Sequence, residues 1–139
     1  ANAQEWTTMT QEIIKRAQRW NATLMVEVNS IGDVIYEQIK KQWQDTHPFT
    51  TSSKSKQEII EGLILDMNES IIRIPSRDLF TYLWDELTVF TYEYNPKTRS
   101  LRYGHPSGLH DDTVISLAIA NYCRKQNKSY GQYVVHGKR

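Results

Sequence analysis

Three carboxylates could carry chemistry in this chain: Glu27, Asp111 and Asp112. Glu27 lies in the β-branched, apolar run Thr23–Asn29, where Leu24, Val26 and Val28 alternate with Met25, Glu27 and Asn29. A carboxylate on such a strand must find water, a cationic partner or a metal. Taken alone, a solvated or ion-paired sheet face is the simpler account of it. The second acidic site is His110-Asp111-Asp112, just ahead of an apolar run. One aspartate there is explained as a helix N-cap, which satisfies free N–H groups and suits the helix dipole. The second aspartate and the histidine are surplus to that role. Acids from a strand and from a helix start can meet at one end of an α/β sheet. Hard divalent cations take oxygen ligands, and Mg²⁺ takes one or two carboxylates with waters and substrate phosphate. Two such ions roughly 3.5–4 Å apart hold the attacking and leaving oxygens of a phosphodiester in line. That chemistry calls for at least three acids, and Glu27, Asp111 and Asp112 are the candidates.

Other polar residues carry weaker signals. Lys54 and Lys56, among Ser52, Ser53 and Ser55, could contact phosphates, although a solvated loop explains them as well. Arg99, Arg102 and Tyr103 form a second basic and aromatic group, on a hairpin whose surface charge can serve solubility alone. His105 and His110 could bind metal or carry protons, but a loop histidine more often does neither. Glu86 reads as a solvated helix-face acid. Trp6, Trp20, Trp43 and Trp84 read as core or interface anchors.

The elements that must position these residues follow from periodicity. Thr8 and Gln11 have capping-box spacing, and Ile13, Ala17 and Trp20 form an apolar helical stripe. After the Glu27 strand, Ser30-Ile31-Gly32 breaks the chain into a second helix carrying Ile35, Ile39 and Trp43. Residues 44–53 read as a loop. A third helix is expected at about 56–68, with Ile60, Leu63, Ile64 and Met67 inward. Ile71–Ile74 reads as a short strand ended by Pro75. Ser76 is the expected cap of a fourth helix through Leu79, Leu83 and Leu87. Val89–Tyr94 and Arg99–Tyr103 form a hairpin across an Asn95-Pro96-Lys97-Thr98 turn. Gly104–Gly108 is a loop, and Val114–Ala120 an apolar helix covered on most sides. From Arg124 the chain becomes a polar, basic tail, expected to be mobile. Helices alternating with short strands indicate an α/β domain, read as one domain over 1–139.

Bulk properties agree with this reading. With 139 residues, 39% hydrophobic and 24% charged, the chain can build a real core. Mean hydropathy is −0.62 and the isoelectric point about 8.1. A net charge of +1 means that any nucleic-acid contact must come from local patches. The single Cys123 excludes an internal disulfide and a cysteine-based zinc site, and reads as a buried thiol. No stretch approaches the ~18 apolar residues of a membrane span, and no leader pattern opens the chain.

Four runs, "LMVEVNSIGDVIYEQIKKQ", "TTSSKSKQEIIEGL", "IIRIPSRDLFTYLWDELTVFTYEY" and "GLHDDTVISLAIANY", together resemble the C-terminal nuclease domain of tailed-phage terminase large subunits. The resemblance spans almost the whole chain in order, and "VEVNSIG" and "HDD" are its specific parts. It implies an RNase H-like mixed sheet flanked by helices. It also implies metal-dependent endonuclease cutting of concatemeric double-stranded DNA, with two Mg²⁺ or Mn²⁺ ions in the complete site. By position, Glu27 would be the strand acid, Asp111 the acid of the last helix and Asp112 an auxiliary ligand. His110 and Asn29 would support them, and Lys54, Lys56 and Arg102 would lie near DNA. Implied partners are the terminase ATPase domain, the small terminase subunit and the portal. The implied place is the packaging motor at the prohead portal, in the cytoplasm of an infected or prophage-carrying bacterium. The family pattern opens with a strand bearing a first catalytic aspartate and two further strands. This sequence opens at the helix before Glu27, so that aspartate is expected from an upstream segment. No phosphate-loop motif of an ATPase occurs. The alternative is a non-catalytic RNase H-like module that binds DNA or docks on a portal or motor partner.

Overall fold

The computed structural model describes residues 2–95, 97, 100–104 and 111–126. Among them lie five helices and two two-stranded sheets, so the chain is mixed α/β. Packing divides it into two compact units, Ala1–Thr51 and Ser52–Arg139, and each is described by itself.

The first unit holds α1 (Ala3–Trp20), β1 (Leu24–Val28), α2 (Ser30–Gln42) and β2 (Thr46–Thr50). Helix α1 begins six residues earlier than the Thr8/Gln11 spacing predicts. Its capping box is Asn2 with Glu5: the Glu5 N–H donates to Asn2 Oδ1 and the Asn2 N–H to Glu5 Oε2, both at 2.9 Å. Thr8 instead bonds within the helix, its hydroxyl donating to the Gln4 carbonyl. The buried face is Thr10, Ile14 and Ala17, not Ile13, Ala17 and Trp20. Hydropathy passes over Thr10, yet its hydroxyl is satisfied by the Trp6 carbonyl at 2.9 Å, so the residue buries without loss. Trp20 is not a core anchor: it is 72% exposed, with the Arg19 guanidinium 5.4 Å from its ring centroid. Asn21 ends α1 in the left-handed region, φ 46°, where asparagine is tolerated.

The expected loop at 44–53 contains a strand. β2 pairs parallel to β1 in the register Leu24↔Thr46, Val26↔Pro48 and Glu27↔Phe49. Pro48 argued against a strand, but a two-stranded pair leaves each strand an unpaired edge where a missing N–H is tolerated. Thr46 is fully buried, its hydroxyl donating to the Trp43 carbonyl at 2.6 Å, and Phe49 is buried beyond it. A parallel pair needs a crossover, and α2 supplies it, packing on both strands with Ile39 buried. Trp43 caps α2 and donates its indole N–H to the Ala22 carbonyl at 2.7 Å, which ties the end of α2 to the start of β1.

The second unit holds α3 (Ser53–Asn68), α4 (Thr81–Val89), β3 (Thr91–Asn95), β4 (Ser100–Gly104) and α5 (Asp112–Gln126). Ser52 and Ser55 form a reciprocal capping box, so α3 starts at Ser53. Its buried face is Ile59, Ile60, Leu63 and Asp66, while Ile64 is exposed. The expected strand at Ile71–Ile74 does not form. Ser70 turns the chain through φ 56°, and the N–H groups of Ile71 and Ile72 return to the Asp66 carbonyl, so no extended partner is paired there. Ser76 does not cap a helix. Its carbonyl accepts from the N–H groups of Leu79 and Phe80 in a turn, and α4 starts at Thr81, leaving Leu79 exposed and Leu83 buried. β3 and β4 pair antiparallel as expected, with Glu93 opposite Arg102. Helix α5 packs against α3 and α4 and buries Val114, Ala118, Ile119, Asn121 and Cys123. It is exposed at Ser116 and Ala120, and it continues past Arg124 into the expected tail. Among the described residues no helix is long and apolar enough to cross a membrane.

Candidate functional site

Glu27 belongs to the first unit and is exposed near the C-terminal end of β1. The parallel register brings the residue after β2 beside it, and the Thr51 hydroxyl donates to Glu27 Oε1. The strand acid therefore has one oxygen fixed by the neighbouring strand's exit. Asn29, also exposed, is the backbone N-cap of α2 and makes no side-chain cap bond. At the opposite end of this sheet, Asp45 accepts from the Thr23 hydroxyl at 2.6 Å and lies 2.9 Å from His47 Nε2. Partial burial opposes its ionisation, but the bonds to Thr23 and His47 and the nearby positive charge outweigh it, and the carboxyl lies below its usual range.

Asp111 and Asp112 belong to the second unit, at the head of α5. The Asp111 carbonyl accepts from the Ile115 N–H at 2.9 Å, the first bond of the helix, while Asp112 is exposed in the first turn. Asp111 is mostly buried. Its Oδ2 receives Lys56 Nζ at 3.2 Å, with the two side chains 14% and 30% exposed. Lys56 stands in the first turn of α3, so the Ser52/Ser55 box that starts α3 also places this cation. Lys54 is exposed.

Sequence reasoning missed Glu86. Far from facing solvent, its Oε2 accepts from the Val114 N–H and its Oε1 from the Thr113 hydroxyl, each at 3.0 Å. A carboxylate from α4 thus satisfies N–H groups at the start of α5, where the helix dipole also favours negative charge. The legible signal was its spacing: Glu86 lies three residues beyond the buried Leu83, on the inward side of α4.

Asp66 was missed as well. It is a buried carboxylate, 4% exposed, receiving Asn121 Nδ2 at 2.7 Å, Lys125 Nζ at 2.7 Å and an Arg124 guanidinium nitrogen at 3.3 Å. The bonds from Lys125 and Asn121 hold its carboxyl below the ordinary range, outweighing burial. Its place in the apolar repeat of α3 was the available signal. The cluster ties α3 to the C-terminal half of α5, and Arg124 and Lys125, read as tail, are its cations.

The structure therefore brings Lys56 to Asp111. Arg102 is placed in β4 by register, while His110, His105, Arg99, the Gly104–Gly108 loop beyond Gly104 and the tail from 127 lie outside the described residues. Among the described residues no group of three or more His, Cys, Asp or Glu side chains is arranged to hold a metal ion. Comparison with family models, curated proteins and solved structures gives no match for this chain.

Proposed function

We propose that this chain is part of the RNase H-like, metal-dependent nuclease of a viral DNA-packaging terminase, acting on concatemeric double-stranded DNA. The observation that carries the reading is the head of α5: a mostly buried Asp111 beside Asp112, with Lys56 held on it. Glu27 in the first unit, and Asp111 and Asp112 in the second, each carry carboxylate oxygens of the kind that Mg²⁺ or Mn²⁺ takes. When bound, such ions lower the pKa of a water and stabilise the leaving oxygen of a phosphodiester. Within the chain, Thr51 fixes one oxygen of Glu27, and Lys56 balances Asp111 while keeping a partly exposed ammonium. Lys54, Lys56 and Arg102 are assigned to the phosphate backbone, which they would position without reading sequence. The ATPase domain, small subunit and portal are the partners of the reading.

The test is cleavage of supercoiled plasmid by the full-length gene product with Mg²⁺ or Mn²⁺. Glu27→Ala and Asp111→Ala are each expected to reduce cutting by at least about a hundredfold, the scale of losing a positioned charge in a site. Undiminished cutting by both variants sinks the assignment.

A second reading, a non-catalytic module that binds DNA or docks on the motor, is favoured by one observation. Both acids already have protein partners, Thr51 for Glu27 and Lys56 for Asp111. Salt-sensitive DNA binding without any metal-dependent change in melting temperature would select it.

A further inference from the structure

We infer that Glu86 is a positioning residue for Asp111 and Asp112, clamping the first turn of α5 from α4; this rests on the proposed role of those acids. The clamp is bidentate. One carboxylate oxygen takes the Val114 N–H and the other the Thr113 hydroxyl, both at 3.0 Å, so the first turn is fixed at two successive residues. Val114 and Leu83 are both buried, and α4 packs against α5. Asp111 and Asp112 immediately precede Thr113, and Asp111 is engaged by Lys56 of α3. Two helices thus grip one helix start: Lys56 takes the acid's side chain, and Glu86 sets the backbone that carries it. A plain helix cap would stabilise α5 and do nothing more. A positioning residue makes the Lys56–Asp111 contact depend on it.

That dependence is measurable without metal or substrate. Asp111→Asn should lower the melting temperature by about 2–4 °C in the wild-type background, the scale of a modest interaction in a chain of this size. In the Glu86→Ala background the same change should cost less than half as much. Equal shifts in both backgrounds would reduce Glu86 to a cap and overturn the proposal. Thr113→Val, which removes only the hydroxyl arm, should give an intermediate loss of coupling, and it decides the question if Glu86→Ala does not fold. Glu86→Gln, which can still accept from the Val114 N–H and donate to Thr113, should restore most of the coupling.

The second arm is plasmid cutting with Mn²⁺ by the full-length product. Glu86→Ala should lower kcat at least tenfold with KM for DNA within twofold, and Glu86→Gln should recover most of it. A kcat loss matched by an equal rise in KM, or no rescue by glutamine, counts against positioning. If the wild-type protein neither cuts nor binds Mn²⁺, the nuclease reading fails, and the metal-free coupling still decides the role of Glu86.

Discussion

The two carboxylates that matter most to the second unit's packing, Asp66 and Glu86, are those whose roles hydropathy hides. Each occupies an inward helical position that apolar periodicity would give to leucine, and each is legitimate there because its oxygens are filled. Asp66 receives Asn121, Lys125 and Arg124, whereas Asp85 pairs with Arg77, with both of those side chains more than half exposed. Removing one partner of a buried, hydrogen-bonded charge strands the others, whereas an exposed pair contributes little. Asp66→Asn is therefore expected to shift the urea midpoint downward by several times the effect of Asp85→Asn, which should stay within about 0.5 kcal/mol. Equal midpoints for the two variants would show that the α3–α5 cluster is not a stabilising contact. Trp20 and Trp43 carry the opposite lesson. Both read as anchors, but only Trp43 reaches a carbonyl and is half-buried, because Trp20 is the last residue of α1 before its left-handed cap.

At the scale of elements, caps set where helices begin, and beginnings place the candidate site. Ser52 and Ser55 satisfy each other's backbone N–H groups and fix the start of α3, and Lys56 follows in its first turn. Ser52→Ala should cost about 1 kcal/mol of stability, the usual value of an N-cap side chain. Ser52→Gly should cost only a few tenths. Chemical denaturation of the two variants separates them, and an alanine variant as stable as wild type would mean that the box does not set the helix start. The strands show why element type is harder to read than helix existence. The β1 run announces itself by alternating β-branched residues, and so does the β3–β4 hairpin by its turn. β2 is short, contains Pro48, and owes its strand character to pairing with β1 across a crossover, a contact that no local window contains. Ile71–Ile74 has the better strand composition of the two, yet Ser70 bends the chain back onto the Asp66 carbonyl and no partner is paired.

At the scale of the whole molecule, among the described residues Asp45 in the first unit and Asp66 in the second are carboxylates held below their ordinary range. A folded-state pKa below the unfolded value means that the protonated form is favoured by unfolding. The stability these groups contribute is complete above the unfolded value, 3.8, and drains away as pH falls through the lower folded values. On account of these two groups, melting temperature should thus stay level between about pH 5 and 7, where their contribution is complete, and should fall below about pH 4. Asp66→Asn should flatten part of that acid limb. An acid limb of unchanged steepness in the variant would assign the loss to other carboxylates. Under the proposed reading, a net charge of +1 would confine any contact with DNA to local groups such as Lys54 and Lys56.

The sequence by itself determined the mixed α/β class, the strand bearing Glu27, the five helices in outline, the β3–β4 hairpin and the acidic pair ahead of the last helix. These are local: side-chain periodicity and capping chemistry act within a few residues, so a short window contains their cause. Tertiary structure alone decided that residues 46–50 pair with β1, that Lys56 reaches Asp111, that Glu86 grips the start of α5 and that Asp66 is buried among cations. Each of these joins residues more than 20 positions apart in the chain. A polar side chain's worth inside a protein depends on which partner arrives there, and that is fixed only when the helices and strands pack.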